Sequence, residues 1–376
     1  MDHALHTLTT QVRDAAQAKR PLRIRGGGSK DFYGQHTDAA AEVLDTRPLS
    51  GIVAHEPSEL VVTVRGGTPL AELEATLAAT GQHLPFEPPH FAGPGASTAT
   101  VGGAVAAGLN GPGRASAGAV RDFVLGAQLL NGRAELLTFG GQVMKNVAGY
   151  DVSRSMAGAM GTLGVLVEVS LKVLPLAPAE ATLCFEMDQP DALAALHRWG
   201  GQPLPLNASC WVQDQGRSLL YVRLRGAVAA VEAACTRMGG QRLDNATVAP
   251  DWAACREQTL PFFAQAPAPG DALWRVSLPQ TAPALVLGGQ AVGQQLVEWH
   301  GALRWVWAPA AQAQAIRAAA QAVGGHATLF RPAAEADRAV GVFTPLSAPL
   351  AAIHRRLKAE FDPAGIFNPG RLYADV

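Results

Sequence analysis

The turn at residues 25–30 is the first point in the sequence where residue types indicate chemistry. It reads Arg25-Gly-Gly-Gly-Ser-Lys30 and directly follows a short predicted strand over 21–25. Glycine has no Cβ, so the backbone N–H groups of such a turn can converge on an anion. Arg25 and Lys30 can add positive charge. The turn therefore predicts a cradle for a nucleotide pyrophosphate.

The common nucleotide-binding motifs do not describe this turn. No G-x-x-x-x-G-K-[ST] run is present, so it is not a Walker loop. A dinucleotide fingerprint starting at Gly26 would need a third glycine where Asp31 stands, and no amphipathic helix follows. Taken alone, the turn leaves an ordinary chain reversal open as the alternative.

Three more glycine arrays follow in the same half of the chain. The second runs over 94–103 and 108–114, the third over 145–151 and the fourth over 158–164. Four separated arrays favour an elongated ligand that lies along the backbone at several points. The alternative is a loop-rich domain with many turns.

Composition excludes several other classes of protein. The 376 residues carry 30 Lys+Arg against 31 Asp+Glu, so no global field attracts nucleic acid or an anionic membrane. The four cysteines lie far apart without a C-x-x-C pair, which excludes the usual iron–sulfur and zinc sets and predicts reduced core residues. Residues 1–25 lack signal or transit features, and no apolar run approaches the roughly 20 residues of a membrane span. We expect a cytoplasmic protein.

Hydrophobic patterning predicts a boundary near residue 176. Residues 5–19 and the segment after Pro69 have helical patterns, with Thr68 as N-cap, while 85–118 reads as irregular. After Pro175 the glycine loops give way to alternating strands and helices, among them a predicted helix over 282–289. We expect a domain at 1–176, a smaller α+β domain at 177–344 with an antiparallel sheet and helices on one face, and a separate segment at 345–376.

The glycine arrays together resemble the FAD-binding domain of the vanillyl-alcohol oxidase / p-cresol methylhydroxylase superfamily of FAD-linked oxidases. The resemblance lies in R-G-G-G-S, T-V-G-G with a downstream Asn-Gly, R-D-x-V-L-G at 121–126 and G-T-L-G-V at 161–165, in the family's order. The tail at 361–370 is similar to the family's F-D-P-x-G-x-x-N-P-G. Within the superfamily, 143–151 and the short length are most similar to FAD-binding subunits of bacterial glycolate oxidases.

The resemblance implies a p-cresol methylhydroxylase-type two-subdomain FAD-binding domain followed by a cap domain over 177–344 and a C-terminal segment that returns to the flavin. It also implies the residues that hold FAD. They are Arg25, Gly26, Gly27, Gly28, Ser29 and Lys30 at the pyrophosphate; Pro94, Gly95, Thr98, Thr100, Gly102, Gly103, Asn110 and Gly111 along the ADP and flavin; Gly161, Thr162, Gly164 and Val165 on the adenine side; and Asn368 in the tail. Some members attach the flavin covalently through His or Cys. The first loop has neither, and His90 stands in a different context, so we expect non-covalent FAD.

The sequence offers fewer candidates for catalytic residues than for FAD-binding residues. Oxidation of a 2-hydroxy acid needs a base for the hydroxyl proton and a cation for the carboxylate. The cap offers His326 and Arg331 on one predicted strand, but their odd spacing predicts opposite faces, and a structural histidine is the alternative for His326. Lys145 and Tyr150 are the candidates beside the flavin domain, with a plain surface lysine as the alternative for Lys145. The histidines form no H-x-H or H-x-x-x-H pair, so we predict no metal site.

Three functions follow from the resemblance. The first is the FAD-binding subunit of a glycolate oxidase that oxidises glycolate to glyoxylate and passes electrons to a second, FAD- and metal-containing flavoprotein and an iron–sulfur subunit. The second is a self-sufficient FAD-dependent 2-hydroxy-acid dehydrogenase of the D-lactate type. The third is a non-catalytic flavin-binding scaffold. The missing metal motif and cysteine clusters favour the first, and association with the inner membrane would come through partner subunits.

Overall fold

The computed structural model describes residues 3–35, 40–92, 97–141, 151–214, 216–264, 266–287, 290–291 and 294–375. Its α-helices are α1 His3–Ala18, α2 Leu70–Ala79, α3 Val101–Ala107, α4 Arg114–Ala117, α5 Val120–Phe123, α6 Gln189–Gly200, α7 Val228–Met238, α8 Asn245–Glu257, α9 Pro261–Ala264, α10 Ala313–Ala322 and α11 Ala348–Phe361. Its strands are β1 Leu22–Arg25, β2 Glu42–Asp45, β3 Ile52–Glu56, β4 Val61–Arg65, β5 Gln82–His83, β6 Val124–Leu130, β7 Leu136–Gly140, β8 Val165–Lys172, β9 Leu174–Pro175, β10 Ala179–Glu186, β11 Leu206–Asp214, β12 Arg217–Gly226, β13 Gln241–Leu243, β14 Asp271–Ser277, β15 Val286–Leu287, β16 Gln290–Ala291, β17 Gln295–Glu298, β18 Leu303–Pro309 and β19 His326–Arg331.

The chain divides into two compact units. The first comprises residues 1–110, 119–176 and 345–376, and the second comprises 111–118 and 177–344. The sequence predicted that 111–118 belongs to the first domain, but this segment is held by side chains of the second unit. The indole Nε1 of Trp299 donates to the Gly111 carbonyl oxygen (3.0 Å). Such contacts across more than 180 residues leave no local sequence signal.

The first unit contains the glycine arrays. β1 pairs in parallel with β2, and a five-stranded antiparallel sheet has the order β3-β4-β8-β6-β7. Leu22 and Leu44 of the parallel pair are buried with Val165 and with Phe367 of the C-terminal tail. This core fixes the end of β1, where the first glycine turn begins.

The second unit is built on an eight-stranded sheet with the order β13-β10-β12-β11-β17-β18-β14-β19, in which all the described pairs are antiparallel. Helices α6 and α7 cover one face, where Leu183 and Val222 are buried, and α10 continues this layer. The prediction of helices on one face only is wrong. The indole Nε1 of Trp252 in α8 donates to Thr182 Oγ1 (3.0 Å), and Thr182 points away from its strand neighbour Leu183.

Three local predictions also differ from the structure. Over 282–287, the described part of the helix predicted at 282–289, the chain is not helical, because β15 pairs with β16. Periodicity cannot separate helix from strand in so short an apolar run. The stretch over 85–118, which was predicted to be irregular, contains α3 and α4. Thr68 does not cap α2: its hydroxyl accepts from the Gly51 backbone N–H (2.9 Å), and the helix begins at Leu70.

Candidate functional site

A cavity of about 150 Å³ opens at the carboxyl end of β1 in the first unit. It brings together the first glycine turn, the second array, the fourth array and the tail. Its lining residues are Arg23, Ile24, Arg25, Gly26, Gly27, Gly28, Ser29, Lys30, Asp31, Thr100, Gly103, Ala106, Ala107, Met160, Asn368 and Arg371. A neighbouring cavity of about 70 Å³ shares Gly26, Gly103 and Asn368 with it and adds Gly102, Gly161 and Gly164. Segments more than 300 residues apart in sequence thus form one groove.

The backbone of the first turn offers unused hydrogen-bond donors to this groove. Among the described residues, no acceptor receives the N–H groups of Gly26, Gly27, Gly28 or Ser29. The turn is closed by the Asp31 N–H, which donates to the Gly28 carbonyl oxygen (3.1 Å). Converging backbone N–H groups bind anions, and a buried donor without a partner is costly. This turn therefore has the donor set that a phosphate group needs.

The glycines of the turn are required by how closely the backbone approaches its neighbours. A Cβ built on Gly27 would overlap the carbonyl oxygen of Thr98, and one built on Gly26 would overlap the Thr100 hydroxyl. Gly28 has φ +75°, in the left-handed region that favours glycine. Thr98 therefore contributes by packing against Gly27, although it does not line the groove.

Thr100 fixes the second array beside the first. Its Oγ1 accepts from the Gly103 N–H (3.2 Å) and caps α3, and its side chain is buried against Gly26. The Gly102 N–H donates to the Gly66 carbonyl oxygen (2.7 Å). The start of α3 is thereby held against both the turn and the segment before α2.

Asn368 joins the C-terminal tail to the groove. Its Oδ1 accepts from the Ile24 N–H (2.9 Å), and its Nδ2 donates to the Met160 carbonyl oxygen (2.7 Å). One amide thus links the strand that leads into the first turn with the fourth glycine array. Asn368 adopts φ +41°, a conformation that Asn tolerates better than most residues.

Lys358 is a buried residue that the sequence did not reveal. Its ammonium group donates to the carbonyl oxygens of Thr162 (2.8 Å) and Phe367 (2.7 Å) and to Asp362 Oδ2 (2.7 Å). Burial lowers the pKa of Lys358, while Asp362 opposes that shift. All three ammonium hydrogens therefore have acceptors, and the tail is fixed to the G-T-L-G turn.

Positive side chains surround the first turn. Arg25 Nε donates to Asp31 Oδ2 (2.7 Å), and Arg371 Nη2 donates to the carbonyl oxygens of Lys30 (3.2 Å) and Asp31 (3.1 Å). Arg23 also lines the groove, and its buried Nε has no hydrogen-bond partner among the described residues. Neither Arg23 nor Arg371 was predicted. The sequence could have identified Arg23, because it stands two residues before Arg25 and strand alternation puts both side chains on one face.

Several predicted cofactor residues do not line the groove. Asn110 bonds within its own loop, accepting from the Val120 N–H (2.7 Å). The Gly111 carbonyl oxygen binds Trp299 in the second unit. Thr162 donates its hydroxyl to the Ala159 carbonyl oxygen (2.8 Å), and Val165 belongs to the core. Pro94, Gly95, Lys145 and Tyr150 lie outside the described residues.

The prediction that His326 and Arg331 face opposite sides is wrong. In the pairing of β14 with β19, His326 lies opposite Ser277 and Arg331 lies opposite Leu273, and an extra residue is inserted in β19 before Arg331. Residues opposite each other in a sheet share a face, and Ser277 and Leu273 are four positions apart on β14. The bulge therefore turns both candidates to one face, where Arg331 Nη2 donates to Gln258 Oε1 (3.0 Å).

The groove fits the pyrophosphate end of FAD on three structural grounds. The unused N–H groups of 26–29 form the donor set, the missing Cβ atoms of Gly26 and Gly27 let this turn pack directly against Thr100 and Thr98, and the Arg23 guanidinium supplies charge. The FAD binding domain family matches residues 6–154, which agrees with this fit.

The glycolate oxidase subunit GlcE of Escherichia coli (strain K12) is 45% identical over 369 residues, covering 98% of this chain and 97% of that protein. This chain belongs to the GlcE family. The glycolate oxidase subunit GlcD of Bacillus subtilis (strain 168) is 26% identical over 46% of this chain and 36% of its own length. A D-lactate dehydrogenase of Archaeoglobus fulgidus is 30% identical over 44% of this chain and 35% of its own length.

Solved structures show the same fold for the GlcE-family chain. Alkyldihydroxyacetonephosphate synthase superimposes with a TM-score of 0.66, covering 97% of this chain and 74% of that one at 14% identity. The expected FAD-linked oxidase fold is confirmed, as is FAD as the cofactor of the domain.

Proposed function

We propose that this chain is the FAD-holding subunit of a glycolate oxidase that converts glycolate to glyoxylate. The observation that carries the proposal is the set of unused N–H groups at 26–29, which suits a flavin dinucleotide. The near full-length similarity to GlcE supports the substrate and the subunit role.

Within this proposal the groove residues have distinct tasks. The turn at 26–29 would bind the pyrophosphate, with Arg23 and Lys30 offsetting its charge. Thr100 and Asn368 would position that turn through their bonds to Gly103 and Ile24. When bound, FAD supplies a two-electron acceptor for the CH–OH carbon of a hydroxy acid.

We also propose that FAD is held without a covalent bond. His90 is the histidine nearest the second array, and both of its ring nitrogens are engaged. Nδ1 lies 2.8 Å from Ser97 Oγ and Nε2 lies 3.0 Å from Glu74 Oε2. These contacts hold the imidazole ring between α2 and the second glycine array.

The proposed assembly has other subunits. The name of the E. coli relative makes it one subunit of a larger enzyme, and we propose a second FAD- and metal-containing flavoprotein and an iron–sulfur subunit as partners here. The cysteines of this chain lack cluster spacing, so an electron exit through iron–sulfur clusters would use another chain. Among the described residues, no helix is long and apolar enough to span a bilayer. We propose a cytoplasmic location, with attachment to the inner membrane through partners.

A self-sufficient 2-hydroxy-acid dehydrogenase is the second candidate. The shared face of His326 and Arg331 favours it, because a base and a carboxylate-binding cation on one face suit that chemistry. Lys145 and Tyr150 stay as proposed contacts to flavin or substrate, and a scaffold that only binds flavin is the third candidate.

Anaerobic reduction by glycolate separates these functions. The purified chain with bound FAD is mixed with glycolate, and its visible flavin absorbance is followed before and after the partner subunits are added. We expect bleaching only with the partners. Bleaching of the chain alone would make it self-sufficient, and flavin that never bleaches in the assembled complex would support the scaffold.

A further inference from the structure

Two arginines of the second unit lie against one buried indole. The Arg114 guanidinium carbon is 4.5 Å from the ring centroid of Trp299, and the Arg275 guanidinium carbon is 5.0 Å from it. Arg114 belongs to α4 and Arg275 to β14. Each is a favourable cation–π contact, so the Trp299 indole holds two guanidinium groups close to each other.

The backbone beneath this pair is strained. Trp299 and His300 both have φ +54°, and Gly301 follows with φ +97°. A left-handed conformation at a residue other than glycine is strained and persists where surrounding contacts impose it. Here the contacts are those of the Trp299 indole with Gly111 and of His300 Nε2 with Ser116 Oγ (3.0 Å). They fix α4, and with it Arg114, next to the sheet.

His326 joins the two arginines on the same sheet face. Thr328 lies opposite Arg275, and His326 lies two residues before Thr328. Diagonal neighbours of this kind have Cα atoms about 7–8 Å apart, within reach of long side chains. Arg114 and Arg275 are half-buried and His326 is exposed, so a solute can reach all three.

We propose that Arg114, Arg275 and His326 form a binding site for the carboxylate of a small 2-hydroxy or 2-oxo acid. Planar guanidinium groups bind carboxylates in a bidentate manner, and a carboxylate that reaches this pair would meet two of them side by side. The oxygen on the neighbouring carbon would face the imidazole. The identity of the acid rests on the proposed function, whereas the anion site rests on this geometry.

The protonation state of His326 suits this role. Partial burial of the ring, followed by the charges of Arg275 and Arg114, lowers its pKa. The imidazole is therefore neutral at physiological pH and can accept a hydrogen bond from a hydroxyl. A bound carboxylate would offset the arginine charges, so its arrival is expected to raise the pKa of His326.

Calorimetric titration of the full chain tests the site. Glycolate and its uncharged analogue glycolamide are titrated into the wild type, Arg275→Met, Arg114→Met and, as a control on a distant strand, Arg217→Met. We expect glycolate to bind at least about tenfold more weakly to Arg275→Met and to Arg114→Met than to the wild type, because each variant loses a charge-assisted hydrogen bond. Arg217→Met should match the wild type, and glycolamide should bind far more weakly than glycolate throughout. Arg275→Lys, which keeps the charge, should fall between.

Two results would overturn the site. The first is that the wild type, Arg275→Lys and Arg275→Met all bind glycolate with the same affinity. The second is that the wild type binds glycolate and glycolamide with the same affinity. FAD content and melting temperature are measured on the same samples. A chain that lacks FAD but binds glycolate through Arg275 would contradict the proposed function and support the site. A chain that holds FAD and binds glycolate independently of the arginines would support the proposed function and contradict the site.

Discussion

The Lys358 ammonium group donates a 2.8 Å hydrogen bond to the carbonyl oxygen of Thr162, 196 residues earlier in the chain. The same group binds Asp362 and the Phe367 carbonyl oxygen. Asn368 then reaches Ile24 at the end of β1. The C-terminal tail thus determines how the first and fourth glycine arrays meet.

Replacing Lys358 tests this tie. Lys358→Met leaves Asp362, which is fully buried, without its cationic partner, and removal of one member of a buried ion pair costs about 3 kcal/mol or more. We expect the free energy of unfolding, measured by denaturant titration, to fall by that amount. Lys172→Met on β8 is the control and should change it by less than about 0.5 kcal/mol. Equal stability of the two variants would contradict the assigned role.

The close approach of the first turn to the second array predicts the effect of one added methyl group. Gly27→Ala places a Cβ where the Thr98 carbonyl oxygen lies, so the turn must move and its N–H groups lose their convergence. We expect FAD binding, measured by fluorescence titration of the flavin-free chain, to be lost. Gly200→Ala, where the Cβ meets open space, is the matched control. An unchanged dissociation constant for Gly27→Ala would show that the turn does not hold FAD.

Arg23 should affect binding without supporting the fold. Its buried Nε has no partner among the described residues, so replacing it removes an unsatisfied donor, which is nearly neutral or stabilising. For Arg23→Met we expect FAD to bind about tenfold more weakly, with a smaller dependence on salt, and stability to be unchanged or higher. Arg13→Met on the exposed face of α1 is the control. A loss of stability with FAD affinity intact would contradict this assignment.

Burial of His300 predicts a dependence of stability on pH. Desolvation lowers the pKa of His300 to about 4, whereas the unfolded chain titrates near 6.5. Between these values the unfolded state binds more protons, so stability falls as pH drops from about 6.5 to 4, by about 3 kcal/mol in total. His300→Asn, which tolerates the left-handed backbone, should lose this part of the pH dependence in denaturant titrations. His197→Asn on α6 should keep it, and a parallel pH profile for wild type and His300→Asn would contradict the prediction.

The residues that sequence could identify are those whose type reports a backbone requirement. Gly27 is glycine because of a local close approach, and its neighbours Arg25 and Ser29 are part of the same short run. The local sequence does not distinguish Lys358, because an isolated lysine on an amphipathic helix has the same sequence pattern as a surface lysine. Its role depends on three acceptors from distant segments.

The faces of the second sheet show a different limit. Strand alternation correctly separates faces on regular strands, but one inserted residue in β19 reverses the relation between His326 and Arg331. The position of this bulge is set by the pairing with β14, and the sequence of β19 alone does not reveal it. The sequence analysis did not single out Arg114 and Arg275 either, because they lie far apart in sequence and come together at Trp299 through the tertiary fold.

A crystal structure of the chain with FAD would show which groups hold the pyrophosphate. We expect pyrophosphate oxygens within hydrogen-bond distance of the backbone N–H groups of Gly27 and Gly28, with the Arg23 side chain beside them and no bond from His90 to the flavin. A pyrophosphate bound elsewhere, with those N–H groups still unused, would contradict it.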